Sequence, residues 1–240
     1  MDRDTTVAGI VQRAPVATID EAVAALSELA TALPENDGIR WFSVLYLAVT
    51  RSVQKAIVSN AFRNPEWLRR LDVVFANLFF DALRKFQTDQ ADMPRAWWPL
   101  FSSRDAPGRA PVQFALAGIN AHINRDLPVA IVKTCEELGV VPVRGSAEFA
   151  DYQAVNPLLS AAEDETKREL LTGVTAIADR VLGRVDDVAA MWSVVEARNA
   201  AWTNGEALWA LRGIPLLSEH FLDTLDGFVG FASRGLLIAV

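Results

Sequence analysis

The chain has a single cysteine, Cys135, in 240 residues. No internal disulfide can form, so burial and hydrogen bonding must hold the fold, and no oxidising compartment is implied. Histidine is almost as scarce: His122 and His220 are the only two, and no paired cysteines or His-Glu-x-x-His run offer a ready metal centre. Glycine-rich phosphate loops, a nucleophile elbow and zinc-finger spacing are also missing, so no nucleotide or flavin cofactor is expected. Basic charge is in deficit: 23 Lys and Arg against 30 Asp and Glu give a formal charge of -7, which argues against a nucleic-acid partner or an anionic membrane surface. Lysine is rare, 4 against 19 arginines, a bias that with so much alanine fits a GC-rich genome as well as any function. Long apolar runs are lacking; those present are short and broken by charge, so no transmembrane span is expected. The start Met1-Asp2-Arg3-Asp4 lacks the basic-then-apolar layout of a signal peptide. The expectation is a soluble, cytoplasmic protein, for which a homo-oligomer is allowed but not required.

What is present reads as helix. The residues are 51% hydrophobic, enough at this length for one substantial core. Residues 1–17 read as an extended or loose arm, and 18–240 as a single helical domain. Thr18-Ile19-Asp20-Glu21 has capping-box spacing, and an Ala-rich helix should follow to Leu33, stopped by Pro34 and Asn36-Asp37-Gly38. From Ile39 to Ala61, Trp41, Val44, Leu45, Ala48, Val49, Ser52, Val53 and Ala56 keep helical spacing. Asn64-Pro65 starts a helix to Thr88, with Leu71, Phe75, Leu78, Phe79, Ala82 and Phe86 as its core stripe. A short aromatic helix or turn at Pro94–Phe101, a loop at 102–111 and an irregular connection at 140–156 separate these from helices at about 157–182, 186–212 and 215–237. The fold class is all-α: a single-domain bundle of about seven to nine helices around a central, buried, Pro-kinked helix.

That central helix carries the most informative run, Gly118-Ile119-Asn120-Ala121-His122-Ile123-Asn124-Arg125-Asp126-Leu127-Pro128. Leu116, Ile119, Ile123 and Leu127 form one apolar stripe, and Phe114, Gly118 and Ala121 cover the far side, so the helix is expected to be buried. Pro128 cannot donate to the Asn124 carbonyl, so the helix must end or kink there. Buried polar side chains need partners. His122 and Asp126 are four apart, so the carboxylate can hold the imidazole; Asn120 and Asn124 are also four apart and can present two amides. The cluster therefore admits three readings: a hydrogen-bond network that fixes the kink, a metal site, or an acid/base pocket.

Two other constellations offer partners. On the helix 186–212, Trp192, Val195, Asn199, Trp202, Glu206 and Trp209 share a face, and a carboxyl walled by indoles should lose solvation, so that its pKa rises as a general acid's does. The plainer reading has Glu206 turned outward or paired with Arg198 or Arg212. On the helix 65–88, Asn77, Asp81 and Arg84 share a face beside Lys85, ordinarily a solvated stripe; Asp81 gains interest only if it meets the His122 helix, where His122, Asp126 and Asp81 would make a metal site. Arg51, Arg63, Arg69 and Arg70 read as surface, Asp186-Asp187 as a helix start, and Cys135 as buried and inert.

The run Ala117–Pro128, with Asp37-Gly38-Ile39-Arg40-Trp41-Phe42, Arg70-Leu71-Asp72-Val73-Val74-Phe75-Ala76-Asn77, Asp151-Tyr152 and Val155-Asn156, resembles the signature of an uncharacterised bacterial family, domain of unknown function 5995. The resemblance spans most of the chain. It implies one mainly helical domain, brings no established activity, and makes Asn120, His122, Asn124 and Asp126 the family's candidate functional residues.

The residues lead to two classes of function. The first is an enzyme acting by proton transfer on a small apolar or amphipathic metabolite in a Trp-lined pocket: a lyase, isomerase, cyclase or hydrolase. His122 would be the acid or base, Asp126 its orienter and Glu206 a second acid/base group; Asn120, Asn124, Asn199, Trp202, Trp209 and Asp81 would contact substrate. A metal-assisted hydrolase is its variant. The second is a non-catalytic helical protein binding an apolar ligand or a partner helix.

Overall fold

The computed structural model describes residues 3–59, 61–161 and 193–239, and these form a helical bundle without strands among them. The helices are α1 (Arg3–Val11), α2 (Ile19–Ala32), α3 (Gly38–Val58), α4 (Pro65–Thr88), α5 (Trp98–Ser102), α6 (Pro111–Ala121), α7 (Leu127–Leu138), α8 (Ala147–Ala154), α9 (Val194–Leu211) and α10 (Pro215–Leu236). A π-helical turn, His122–Asp126, joins α6 to α7. The expected helix at 157–182, together with Asp186-Asp187 and Trp192, lies largely or wholly outside the described residues. No helix among the described residues is long and apolar enough to cross a membrane.

The helix starts follow local chemistry. Thr18 accepts from the Glu21 amide at 3.1 Å, and Glu21 reaches back to the Ala17 amide at 2.7 Å, one residue before the cap. Asn64 accepts from the Trp67 amide with Pro65 in the first turn, so α4 begins and ends where the sequence places it. Two expectations are corrected. The arm is not loose: Val7, Ile10 and Val11 of α1 are buried against α2 and α4, and Asn77 clamps Val16 through both its amide and its carbonyl. The connection 140–156 is not irregular throughout: Ser146 accepts from the Phe149 amide and starts α8.

The α6–π–α7 rod runs through the middle. Its α6 half packs against α3 and α10, and its α7 half against α4 and α9. Gly118 makes the α3 contact possible: a Cβ there would lie 2.4 Å from Phe42 Cδ2. Gly118→Ala is therefore expected to destabilise the protein by about 2 kcal/mol, because overpacking outweighs the better helix propensity of alanine. Thermal unfolding followed by circular dichroism checks this; an unchanged or raised melting temperature would show that α3 and α6 do not meet so closely. The start of α3 is fastened by Asp37, which is fully buried, accepts from the Ile39 amide and pairs with Arg104.

Candidate functional site

The site begins with Pro128. In a regular α-helix its ring would press on the Asn124 carbonyl and leave that oxygen without a donor. The chain instead widens one turn: the Leu127 N–H reaches back five residues to the His122 carbonyl, and Pro128 falls in the first turn of α7, where a missing N–H is tolerated. The widened turn holds His122 and Asp126, and both are buried, 3% and 0% exposed.

Asp126 is a hub of three donors. Its Oδ2 accepts from Trp97 Nε1 at 2.9 Å and faces His122 Nδ1 at 3.2 Å, while its Oδ1 accepts from Arg125 Nη1 at 2.9 Å. Arg125 Nε also lies 3.5 Å from Asp226 of α10. A carboxylate so placed can only accept, so the proton of the His122 ring belongs on Nδ1. Burial lowers the imidazole's pKa below its ordinary value, against the pull of Asp126, and favours the neutral ring. A neutral ring with its proton on Nδ1 leaves a bare lone pair on Nε2. That nitrogen is buried and has no hydrogen-bond partner among the described residues.

Aromatic rings fix the imidazole. Phe75 stacks on it with centroids 3.4 Å apart and planes 6° from parallel, and Tyr46 meets it at 69° with centroids 4.5 Å apart. Phe42 and Trp97 complete the cage. Beside the ring lies an apolar cavity of about 70 Å³ between α3, α4 and the rod, bordered also by Val155, Leu159 and α9. Its walls include Leu45, Val49, Leu71 and Ile123, and its polar members are His122, Tyr46, Asp72 and Arg198.

Three of those four carry a buried polar atom with no hydrogen-bond partner among the described residues: His122 Nε2, the Tyr46 hydroxyl and Asp72 Oδ2. Burial raises the Tyr46 phenol well above its ordinary value, against a smaller opposing pull from the Thr50 hydroxyl, and keeps its proton on. Burial also pushes the Asp72 carboxyl up to about 7, although Arg198 draws it down. Arg198 is buried and engaged elsewhere: its Nε donates to Asn156 Oδ1, its Nη2 donates to the Tyr152 carbonyl, and its guanidinium stacks 4.0 Å over the Tyr152 ring.

Of the residues singled out from sequence, His122 and Asp126 come together as expected, and only His122 borders the cavity. Asn120 and Asn124 do not present free amides. Asn120 Nδ2 donates to the Val229 carbonyl and to Ser233 Oγ of α10, and Asn124 Nδ2 donates to Asn120 Oδ1. Glu206 accepts from Trp202 Nε1 at 3.0 Å and lies 3.6 Å from Arg144, away from the His122 cavity. Trp202 is core packing against Trp67, Phe149 and Tyr152; Trp209 lies under Arg212; Asn199 accepts from Gln153. Asp81 pairs with Arg84 and Lys85 on its own helix. Among the described residues no three His, Cys, Asp or Glu side chains gather as metal ligands, so His122, Asp126 and Asp81 do not form the ligand set the sequence allowed. Cys135 is buried, and burial pushes its thiol up to about 11, which leaves it a poor nucleophile.

Tyr46 and Asp72 were missed by sequence reasoning. Asp72 had a signal: Leu68, Leu71, Asp72, Phe75 and Phe79 share the core stripe of α4, so a carboxyl stands where an apolar residue belongs. Tyr46 stands likewise among Phe42, Val49 and Val53 on α3.

No curated protein and no solved structure matches this chain. A family model does match, over residues 19–239, and the chain belongs to that family, the family of unknown function DUF5995.

Proposed function

We propose that this protein is an enzyme that transfers protons on a small apolar or amphipathic molecule, with His122 as the base. One observation carries the reading: an unpartnered imidazole nitrogen stands at the wall of an apolar cavity, while a buried carboxylate holds the proton on the opposite nitrogen. Asp126 is a positioning residue that fixes the tautomer and would steady the imidazolium once His122 takes a proton. The hydroxyl of Tyr46 and the carboxyl of Asp72 supply hydrogen bonds inside the same cavity, in place of Glu206. The apolar lining raises the strength of each of these contacts by keeping water out. This makes an isomerase, lyase or cyclase the fitting class.

The reading is tested by incubating the full chain with a small-molecule extract in D2O and following deuterium uptake by mass spectrometry. The wild type is expected to label at least one compound, and His122→Gln to slow that labelling on the order of 10²-fold or more. Equal labelling by a folded His122→Gln protein, or no labelled compound at all, defeats the proposal. The cavity's mostly apolar wall also favours a second reading, a carrier of an apolar ligand. A compound retained through purification by both proteins and never labelled would select the carrier.

A further inference from the structure

We infer that the molecule this cavity takes is a small neutral carbonyl compound, and that its reaction is proton removal from the carbon next to the carbonyl. This rests on the proton-transfer reading above and gives it a substrate class. The argument is one of complementarity between three buried atoms. Two are hydrogen-bond donors: the Tyr46 hydroxyl and, below about pH 7, the carboxyl of Asp72, whose Oδ2 faces the apolar cavity with no donor among the described residues. The third, His122 Nε2, is an acceptor because Asp126 holds the ring's proton on Nδ1. Two donors and one base suit an acceptor oxygen beside an acidic C–H. An alcohol could engage all three groups, but it would spend the base on its own hydroxyl and offers no acidified C–H for the proton transfer. A carboxylate or phosphate would bring a full charge into a wall whose one cation among the described residues, Arg198, already donates to Asn156 and Tyr152.

The step balances without any oxidant or co-reactant. His122 Nε2 takes the proton, and the C–H electron pair becomes a carbon–carbon double bond. The carbonyl π pair moves to oxygen, where the O–H groups of Tyr46 and Asp72 donate to the developing negative charge. The imidazolium is held by Asp126 and returns its proton to carbon. Return to the same carbon gives exchange; return to the far end of a conjugated enolate gives a shifted double bond. A tyrosine and a protonated aspartic acid serve in this way in ketosteroid isomerase.

The test uses butan-2-one as the probe and the full chain in D2O, with α-hydrogen exchange followed by proton NMR. The wild type should exchange the probe faster than buffer. Tyr46→Phe and Asp72→Leu should each lose on the order of 10²-fold, as removal of an oxyanion donor does. Asp72→Asn should lose less, because its amide N–H still donates. Exchange unaffected by Tyr46→Phe overturns the assignment. Tyr46→Phe removes only one hydroxyl, so it keeps the test open if Asp72→Leu fails to fold. If the extract experiment shows His122-dependent labelling while butan-2-one does not exchange, the carbonyl class falls and proton transfer stands. If neither is labelled, both fall.

Discussion

Replacing Asp126 with asparagine is expected to lower the melting temperature by about 10 °C, from a loss of about 3–5 kcal/mol. The carboxylate is fully buried and takes Trp97, His122 and Arg125 at 2.9, 3.2 and 2.9 Å. Asparagine keeps the shape but turns one acceptor into a donor, so at least one of these groups meets an N–H instead of an oxygen. It also removes the negative charge that faces the Arg125 guanidinium inside the bundle. A second signature separates this from simple loosening. In the wild type the ¹⁵N spectrum of His122 should show a protonated Nδ1 and a bare Nε2, whereas Asp126→Asn should mix the two tautomers. A melting point within a degree or two of wild type, or an unchanged tautomer, would falsify the hub role of Asp126.

Asp72→Asn has the opposite effect, growing as pH rises from about 4 to about 7. The folded-state carboxyl sits at about 7, against an unfolded value of about 3.9. A raised carboxyl pKa means that the folded protein binds the proton more tightly, so stability falls as pH rises from about 4 to about 7 and is level above that. The loss amounts to at most about 4 kcal/mol by pH 8, and less where solvent reaches the side chain. Asparagine resembles the protonated acid and cannot ionise, so the variant should match wild type near pH 4 and out-melt it by several degrees at pH 8. The groups bordering the same cavity are Arg198, which pulls the carboxyl down, the Tyr46 phenol, which stays protonated throughout, and His122. His122 acts at the other end: its pKa is lowered by burial, so its contribution to stability is lost as pH falls below about 6.5. Melting curves from pH 4 to 9 decide the matter. If the two proteins keep the same separation at every pH, Asp72 does not ionise late.

Much of this was legible in the residues, and the misses have physical causes. Helix α4 was read to its ends because Asn64-Pro65 is a local signal that needs no tertiary partner. Helix α1 was missed because nine residues show too little periodicity, and its stability comes from burying Val7, Ile10 and Val11 against α2 and α4. The His122–Asp126 pair was legible from spacing, and the disturbance at Pro128 from the missing N–H; the remedy, a π turn, was not, since a kink or a break would have served the same pattern. Tyr46 and Asp72 from other helices, and Trp97 from the turn before α5, border the same site as His122, and spacing along one helix carries no information about such neighbours. Glu206 shows the converse: its tryptophan neighbour was foreseen, but Trp202 turned out to be packing, on a different part of the molecule.

The one extra residue in the π turn has a consequence beyond the room it makes for Pro128. A residue inserted into a helical ladder offsets the phase of everything after it by about 100° about the axis. The first half of the rod can therefore address α3 and α10 while the second half addresses α4 and α9, although the covalent path is continuous. The imidazole sits where this offset accumulates, so its direction is set by the seam between two packing surfaces and not by either surface alone.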